Sequence, residues 1–562
     1  MTNDHESVGK VLVLYTGGTI GMVRNESGAL APIPNKFVHA VKKYPNMYDA
    51  EYIFKKIGAS ETVLALPISA SHRRIVYEIQ EYNPLLDSSN MKMDDWIKIA
   101  TDIKNHYERF DGFVVLHGTD TLSYTASALS FMLEALGKTV VITGSQLPIF
   151  DTRSDGLNNF LASLIIAGNY NIPEVCVFFG RKLMRGNRAT KVASASFEAF
   201  DSPNSSPLAV AGIKIDVDYP SIFRATALEK FHVHTTLSKN VGLLKIFPSI
   251  STELVKAFLQ PPMEGVILQS YGAGNIPDNR DDILDVLRAA TDRGVIIVNT
   301  SQCTRDGVTD LYQAGKVLIE AGVTPGYDMT PEAALTKLAY VLSKNEYDIK
   351  AKRKIIETNL RGELTVCNDI DFKNRGQFLQ SVGLNRNMEF HQLAPLIFPT
   401  MLMEAVIAKD ISKIEFLVNN RADVSMPNPE NRTALHLACA IGDVGVVKSL
   451  LKMGANVHIK DRYNATPLTE AIDAHSNEII KLLVQCGAHL HEDPAIIGEK
   501  IYLASVISDI DRLEAFKLAG ADLNQTIIIS GSSTNILEQA YLHNRSDVIN
   551  YLKGNEITNG KI

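Results

Sequence analysis

The strongest constraint on the fold is a pattern that occurs twice. The apolar run 11–14 leads into Tyr15-Thr16-Gly17-Gly18-Thr19, and the apolar run 113–116 leads into His117-Gly118-Thr119-Asp120-Thr121. A short uninterrupted apolar run closed by glycine reads as a strand buried on both faces, the kind found in parallel sheets. Glycine frees the backbone for positive φ and lets a ligand or another segment come close. Hydroxyls and a carboxylate at the carboxyl ends of such strands lie where open α/β sheets place their ligands.

The neighbouring segments fit the same architecture. Residues 77–91 run from an apolar stretch into the polar cluster Asp87-Ser88-Ser89-Asn90. Helical periodicity covers 93–110, and Asp94 and Asp95 suit its amino terminus. A helix is expected over 122–136 and strands over 139–146, ending in small polar residues, and over 175–179, the last leading towards Lys191. Alternating strands and helices predict a parallel sheet covered on both faces. Residues 28–34, with glycine and two prolines, read as a lid loop beyond the first glycine turn. Further strands are expected over 241–246, 265–268 and 295–299. Thr330-Pro331-Glu332 opens a helix as cap, first-turn proline and acid. The chain therefore divides into a first α/β domain over 8–215, a linker over 216–240, a smaller α/β domain over 241–366, a connector over 367–396 and a different region over 397–555.

That last region has a period. Gly454-Ala455-Asn456-Val457, Gly487-Ala488-His489-Leu490 and Gly520-Ala521-Asp522-Leu523 recur every 33 residues, and Arg421-Ala422-Asp423-Val424 lies one period earlier without its glycine. Thr433-Ala434-Leu435-His436 and Thr466-Pro467-Leu468-Thr469 keep the same spacing. Period and motif together resemble the ankyrin repeat, a turn plus two stacked helices, here in about four to five copies. The repeat after Gly487 lacks the threonine–proline signature, so a distorted unit is expected there. Such an array serves either as a packing module or as a surface for a protein partner.

Composition closes off several functions. The net charge of −7 argues against non-specific nucleic-acid binding, which needs a basic surface. Five cysteines at irregular spacing form no CxxC pair, disulfide framework or zinc pattern, which fits a reducing compartment. Residues 1–10 lack a signal-peptide core, and no uncharged apolar stretch is long enough to span a bilayer. A soluble cytoplasmic protein is expected. There is no G-x-G-x-x-G after the first strand, no P-loop and no G-x-S-x-G elbow.

Thr19, Thr119, Asp120 and Lys191 supply the parts of an acyl-transfer site. A hydroxyl attacks only once a base takes its proton, and a lysine can be that base if its surroundings permit. Asp120 can orient the lysine or hold a substrate ammonium, and backbone N–H groups near Gly18 and Gly118 can steady an oxyanion. Plainer roles fit the same residues: helix caps for the two threonines, a solvated lysine, and a turn aspartate.

The paired motifs resemble the L-asparaginases. Residues 15–22, 86–91, 113–121, 126–133, 185–191, 328–330 and 360–365 are similar to the cytoplasmic type I branch, over about residues 8–366. With the ankyrin tail, the layout is similar to the mammalian asparaginase–lysophospholipase architecture. The resemblance implies a parallel, flavodoxin-like N-terminal sheet, a smaller α/β C-terminal domain and an all-α repeat solenoid. It implies hydrolysis of L-asparagine to L-aspartate and ammonia without metal or organic cofactor, in a homodimer or homotetramer. Thr19 matches the nucleophile. Thr119, Asp120 and Lys191 match the second catalytic group, and Thr119 and Asp120 also match substrate-binding positions. Asp87, Ser88 and Ser89 match the segment holding the substrate's α-groups. Asn275 matches a residue often offered by a neighbouring subunit. The lid has no tyrosine, and Tyr312 falls where animal members supply a substitute. Gln269 replaces an arginine of the bacterial allosteric site, although Cys303 is kept. A guanidinium binds a carboxylate bidentately and an amide does not, so that regulation is not expected. Residues 51–76 form a longer segment, as in animal members. A lysophospholipase, or a scaffold with a weak amidase domain, are the competing functions.

Overall fold

The structure is a computed structural model that describes residues 8–24, 28, 30–56, 58, 60–68, 73–226, 228–277, 279–308, 313–365, 389–420, 422–529 and 532–559. It falls into two compact units, Met1–Phe223 with His232–Asp369, and Arg224–Phe231 with Ile370–Ile562.

The first unit is built on a nine-stranded sheet. Its strands are β1 (Val8–Gly17), β2 (Val63–Ala65), β3 (Arg74–Leu86), β4 (Gly112–Leu116), β5 (Thr139–Thr143), β6 (Val175–Phe179), β7 (Lys182–Arg185), β8 (Ala209–Ala211) and β9 (Ile215–Val217). They lie in the order β9-β8-β7-β6-β5-β4-β1-β3-β2. The five central strands β3, β1, β4, β5 and β6 are parallel. Numbered among themselves along the chain they stand 2-1-3-4-5, the flavodoxin-like order, whose direction reverses between the first and third strands. Every residue of β4, β5 and β6 is buried, which accounts for their uninterrupted apolar sequences. The sheet is mixed rather than parallel throughout, because β2, β7, β8 and β9 add antiparallel edges. Edge strand β2 comes from the long segment 51–76, so that segment extends the sheet.

Helix α1 (Met93–His106) buries Trp96, Ile99, Ala100 and Ile103, and α2 (Leu122–Met132) is buried on nearly every side. The expected helix over 122–136 stops early because Leu133–Glu134 pair antiparallel with His232–Val233. A smaller parallel sheet follows, with β10 (Val241–Lys245), β11 (Gly265–Ser270), β12 (Ile296–Ser301) and β13 (Thr324–Pro325) side by side. Helix α3 (Pro331–Leu342) packs between this sheet and α2. Thr330 caps it by accepting from Ala333 N, as its sequence predicts.

The second unit stacks helix pairs around one continuous apolar core. Thr433 and Thr466 cap their helices through reciprocal bonds with residues three positions on. Gly454, Gly487 and Gly520 share φ of 89°, 90° and 93°, the left-handed helix exit that keeps glycine at this spacing. In the repeat lacking the threonine cap, the helix starts earlier, as Pro494–Val506 capped by Asp493. The region is not wholly helical: Ile527–Ile529 and Ser532–Thr534 form a hairpin. No helix among the described residues is long and apolar enough to cross a membrane.

Candidate active site

Three backbone segments meet at the switch point, where β1 and β4 end, and glycines make the meeting possible. A Cβ on Gly18, whose φ is 84°, would lie 2.4 Å from Gly118 N. One on Gly118 would lie 2.5 Å from Ser88 Oγ, and one on Gly17 2.1 Å from the Leu86 carbonyl oxygen. Side chains are thus absent where the segments beginning at residues 16, 86 and 117 cross. Hydrogen bonds fix the crossing. Thr16 Oγ1 donates to Leu116 O at 2.9 Å, Thr121 Oγ1 to Ser88 O at 2.7 Å, and Gly18 N to Leu86 O at 3.2 Å. The last bond uses the Gly18 N–H, so that group is not a free oxyanion donor, contrary to expectation.

Neither Thr19 nor Thr119 caps a helix. Thr19 opens a single 3-10 turn, Thr19–Gly21, preceded by Gly18. Thr119 is buried, and α2 starts only after Thr121, whose hydroxyl holds Ser88 instead of a helix N–H. Nor is Lys191 a solvated lysine. Its side chain is 21% exposed, and its Nζ donates to Thr119 Oγ1 at 2.9 Å and to Asp120 Oδ1 at 2.7 Å. Asp120 is 65% exposed and so faces outward from this group. Asp87 is exposed and accepts from Ser89 N at 3.1 Å, while Ser88 is buried against Gly118.

Lys191 reaches Thr119 because its own stretch is anchored by Asp328 after β13, by Glu332 on α3 and by residues 361–365. Asn187 Nδ2 donates to Arg361 O. Arg188 binds Asp328 through both terminal nitrogens, at 3.1 and 2.7 Å, and donates to Glu363 O and Thr365 Oγ1. Burial works to raise the Asp328 carboxyl, yet Arg188 and Thr365 hold it below its ordinary value. Thr190 Oγ1 donates to Glu332 at 2.7 Å, and burial pushes that carboxyl up. The segments singled out in the sequence, 185–191, 328–330 and 360–365, are therefore one bonded assembly.

Two expected residues stand apart. Tyr312 lies outside the described residues. Asn275 sits in a turn after β11, its N–H donating to Tyr271 O and its carbonyl accepting from Tyr271 N, each at 2.8 Å. No described contact joins it to Thr19, Thr119 or Lys191. One residue carries more than its motif suggested. His117 is fully buried, and burial pushes its imidazole down to about 4, so the ring is neutral. Trp96 Nε1 donates to Thr125 Oγ1, the hydroxyl then donates to His117 Nε2, and His117 Nδ1 is left to donate to Gly118 O at 2.7 Å. This chain holds the carbonyl of the glycine that lets Ser88 approach. Its members, 96, 117 and 125, share no motif, and only the histidine in the strand-end loop signals it. Among the described residues, no group of three or more His, Cys, Asp or Glu could hold a metal ion.

Comparison with known proteins now bears on this site. A family model described as "Asparaginase, N-terminal" matches residues 10–223, and "Glutaminase/Asparaginase C-terminal domain" matches 240–356. "Ankyrin repeats (3 copies)" matches 402–493. An L-asparaginase of Dirofilaria immitis is 45% identical over 520 residues, covering 92% of this chain and 88% of its own length. The 60 kDa lysophospholipase of Mus musculus is 40% identical over 448 residues, 79% of this chain and 78% of its own. The crystal structure of L-asparaginase I from Vibrio cholerae superimposes with a TM-score of 0.55 at 40% identity, covering 64% of this chain and all of that one (100%).

Proposed function

The chain belongs to the L-asparaginase family, and on that premise we propose that it hydrolyses L-asparagine to L-aspartate and ammonia by threonine-based acyl transfer. The observation that carries this reading is the bonded group Thr119–Lys191–Asp120 beside the Thr19 turn at the sheet's switch point. Thr19 Oγ attacks the side-chain carboxamide carbon, and its proton leaves through the Thr119–Lys191 pair to the departing nitrogen. Ammonia is released, and an aspartyl ester on Thr19 remains. Water then attacks the ester, frees aspartate and returns the proton to Thr19. Asp120, joined to Lys191 and open on its other side, suits the substrate's α-ammonium, and Asp87, Ser88 and Ser89 suit its α-carboxylate end. Asn275, whose Oδ1 is buried without a hydrogen-bond partner among the described residues, fits a role completed by a second copy, and a homodimer or homotetramer is its natural setting. Likeness to type I asparaginases and the cysteine pattern support a cytoplasmic location.

Ammonia release from L-asparagine and L-glutamine, by wild type and Thr19→Ala, tests the reading. Turnover of asparagine that disappears in the folded variant is expected. A folded wild type inert at millimolar asparagine would overturn it. The likeness to the mouse lysophospholipase keeps one second reading, hydrolysis of a lysophospholipid ester. Fatty acid released by wild type and lost in Thr19→Ala would place both activities in one site.

A further inference from the structure

The segment Arg224–Phe231 lies in the sequence between the two α/β domains, yet it belongs to the repeat unit. Its described residues, Arg224–Thr226 and Leu228–Phe231, follow the 33-residue period of the array. Arg224 meets the first repeat: its Nε and Nη2 bind the two oxygens of Asp423 at 2.9 and 2.8 Å. The two side chains are only 8% and 2% exposed, and Asp423 also accepts from Ser425 N at 2.9 Å. At the second repeat, a Cβ on Gly454 would lie 2.8 Å from Arg224 Cβ and 3.4 Å from Ala225 O. At the third, a Cβ on Gly487 would lie 3.4 Å from Lys230 Cγ and 3.6 Å from Phe231 N. Between them, Leu228 packs on the array's apolar core. The fourth position of the row is open among the described residues, none of which has an atom within 4 Å of a Cβ on Gly520.

The backbone contacts cover one repeat step, from the Gly454 notch to the Gly487 notch, about 10 Å at a helix-packing distance. Six residues from 224 to 230 would span about 20 Å if fully extended, so the segment crosses the step with slack and bends at Leu228, while the Arg224 side chain alone reaches back to Asp423 in the first repeat. Planar, bidentate pairing with a buried carboxylate selects arginine over lysine.

We propose that the row formed by Asp423, Gly454 and Gly487 is a recognition groove for an arginine-led peptide with an apolar residue four places on, and that this chain's own Arg224–Phe231 is its occupant. The groove reads Arg224 by charge and fork geometry, Leu228 by burial, and the backbone through the glycine notches. The array thereby captures a segment of its own chain, and a segment of the same chemistry from another protein must displace it to bind.

The test uses the full-length chain. Arg224→Glu places a carboxylate opposite Asp423 and should release the segment. A fluorescent synthetic peptide covering residues 222–233 should then bind the variant at least tenfold more tightly than wild type. Adding Asp423→Arg should abolish that binding. Equal binding to wild type and Arg224→Glu, or binding to neither, would overturn the proposal. Limited trypsin digestion checks it independently of that variant's folding. Cleavage after Arg224 and Lys230 should be slow in wild type and at least tenfold faster in Arg224→Lys, which keeps the charge but loses the fork. Rapid cleavage at both sites in native wild type would show that the groove does not hold the segment. Asparagine turnover and exchange protection over helices Ala434–Ile441 and Val444–Lys452 report whether each variant is folded.

Discussion

Among the described residues each unit fully buries one histidine, in a neutral state, and the two are wired in opposite directions. His117 accepts at Nε2 from Thr125 and donates from Nδ1 to Gly118 O, so its bonds hold a loop carrying candidate catalytic groups. His436 accepts at Nδ1 from Thr433 N and donates from Nε2 to Ala465 O at 3.2 Å, so its bonds tie a helix start to the next repeat. Burial pushes both imidazoles down to about 4. The same side chain in the same state thus places chemistry in one unit and sets a repeat distance in the other. What differs is the partner: a strand-end glycine whose position decides where Ser88 and Thr119 stand, or a loop carbonyl of a stacked neighbour.

The two units differ most at the reacting groups. Lys191→Met should lower kcat/KM by about a hundredfold to ten-thousandfold, the usual range for a lost proton-transfer group, with the unfolding midpoint nearly unchanged. His436→Gln should do the reverse, lowering the midpoint and leaving kcat/KM alone. Activity retained in Lys191→Met would remove the lysine from the mechanism. Next in size are the glycines. Gly118→Ala puts a methyl 2.5 Å from Ser88 Oγ and should cut kcat/KM by about a hundredfold through misplacement of both segments. Gly520→Ala meets no atom of the described residues within 4 Å and carries only its positive φ, so a loss of about 1 kcal/mol is expected with full turnover.

Acid acts on both units. An unfolded histidine titrates near 6.5, whereas each buried one resists protonation to about 4. Between these values the unfolded chain binds the extra proton, so stability falls as pH drops through that window, by about 3 kcal/mol per histidine. Urea unfolding at pH 7 and pH 4.5 should show a shallower loss in His436→Gln than in wild type. Equal losses would mean that the ring is already protonated in the fold. Smallest of all, Thr433→Ala removes a cap from a repeat helix and should cost about 1 kcal/mol by the same unfolding assay.

The sequence disclosed what repeats and hid what converges. The doubled strand–glycine–threonine pattern was legible, and so was the 33-residue period, because each is local grammar written more than once. The alternation of strands and helices pointed to an α/β sheet, but not to its antiparallel edges, which depend on short strands such as Val63–Ala65 with little periodicity of their own. Lys191 could be named from its chemistry as a candidate base, but not tied to Thr119, since their contact spans 72 positions and no spacing rule joins them. The plainer roles for Thr19 and Thr119 were equally legible. They fail because a cap depends on where the helix begins, and α2 begins after Thr121. Arg224 looked like one residue of a linker, because an ion pair with a carboxylate in the repeats leaves no local trace.

The division of the chain into units also sets an order of events during synthesis. Arg224 precedes Asp423 by 199 residues. At about 5–20 residues per second, a ribosome needs about 10–40 s to cover that distance. The α/β domains therefore emerge with the segment between them still unmatched, and the first repeat arrives only after both domains have left the tunnel. A nascent chain paused after Arg224–Phe231 has emerged and before residue 423 is made presents an arginine-led ribbon to its surroundings. Completion of the repeats withdraws that ribbon, so its disappearance marks a finished molecule.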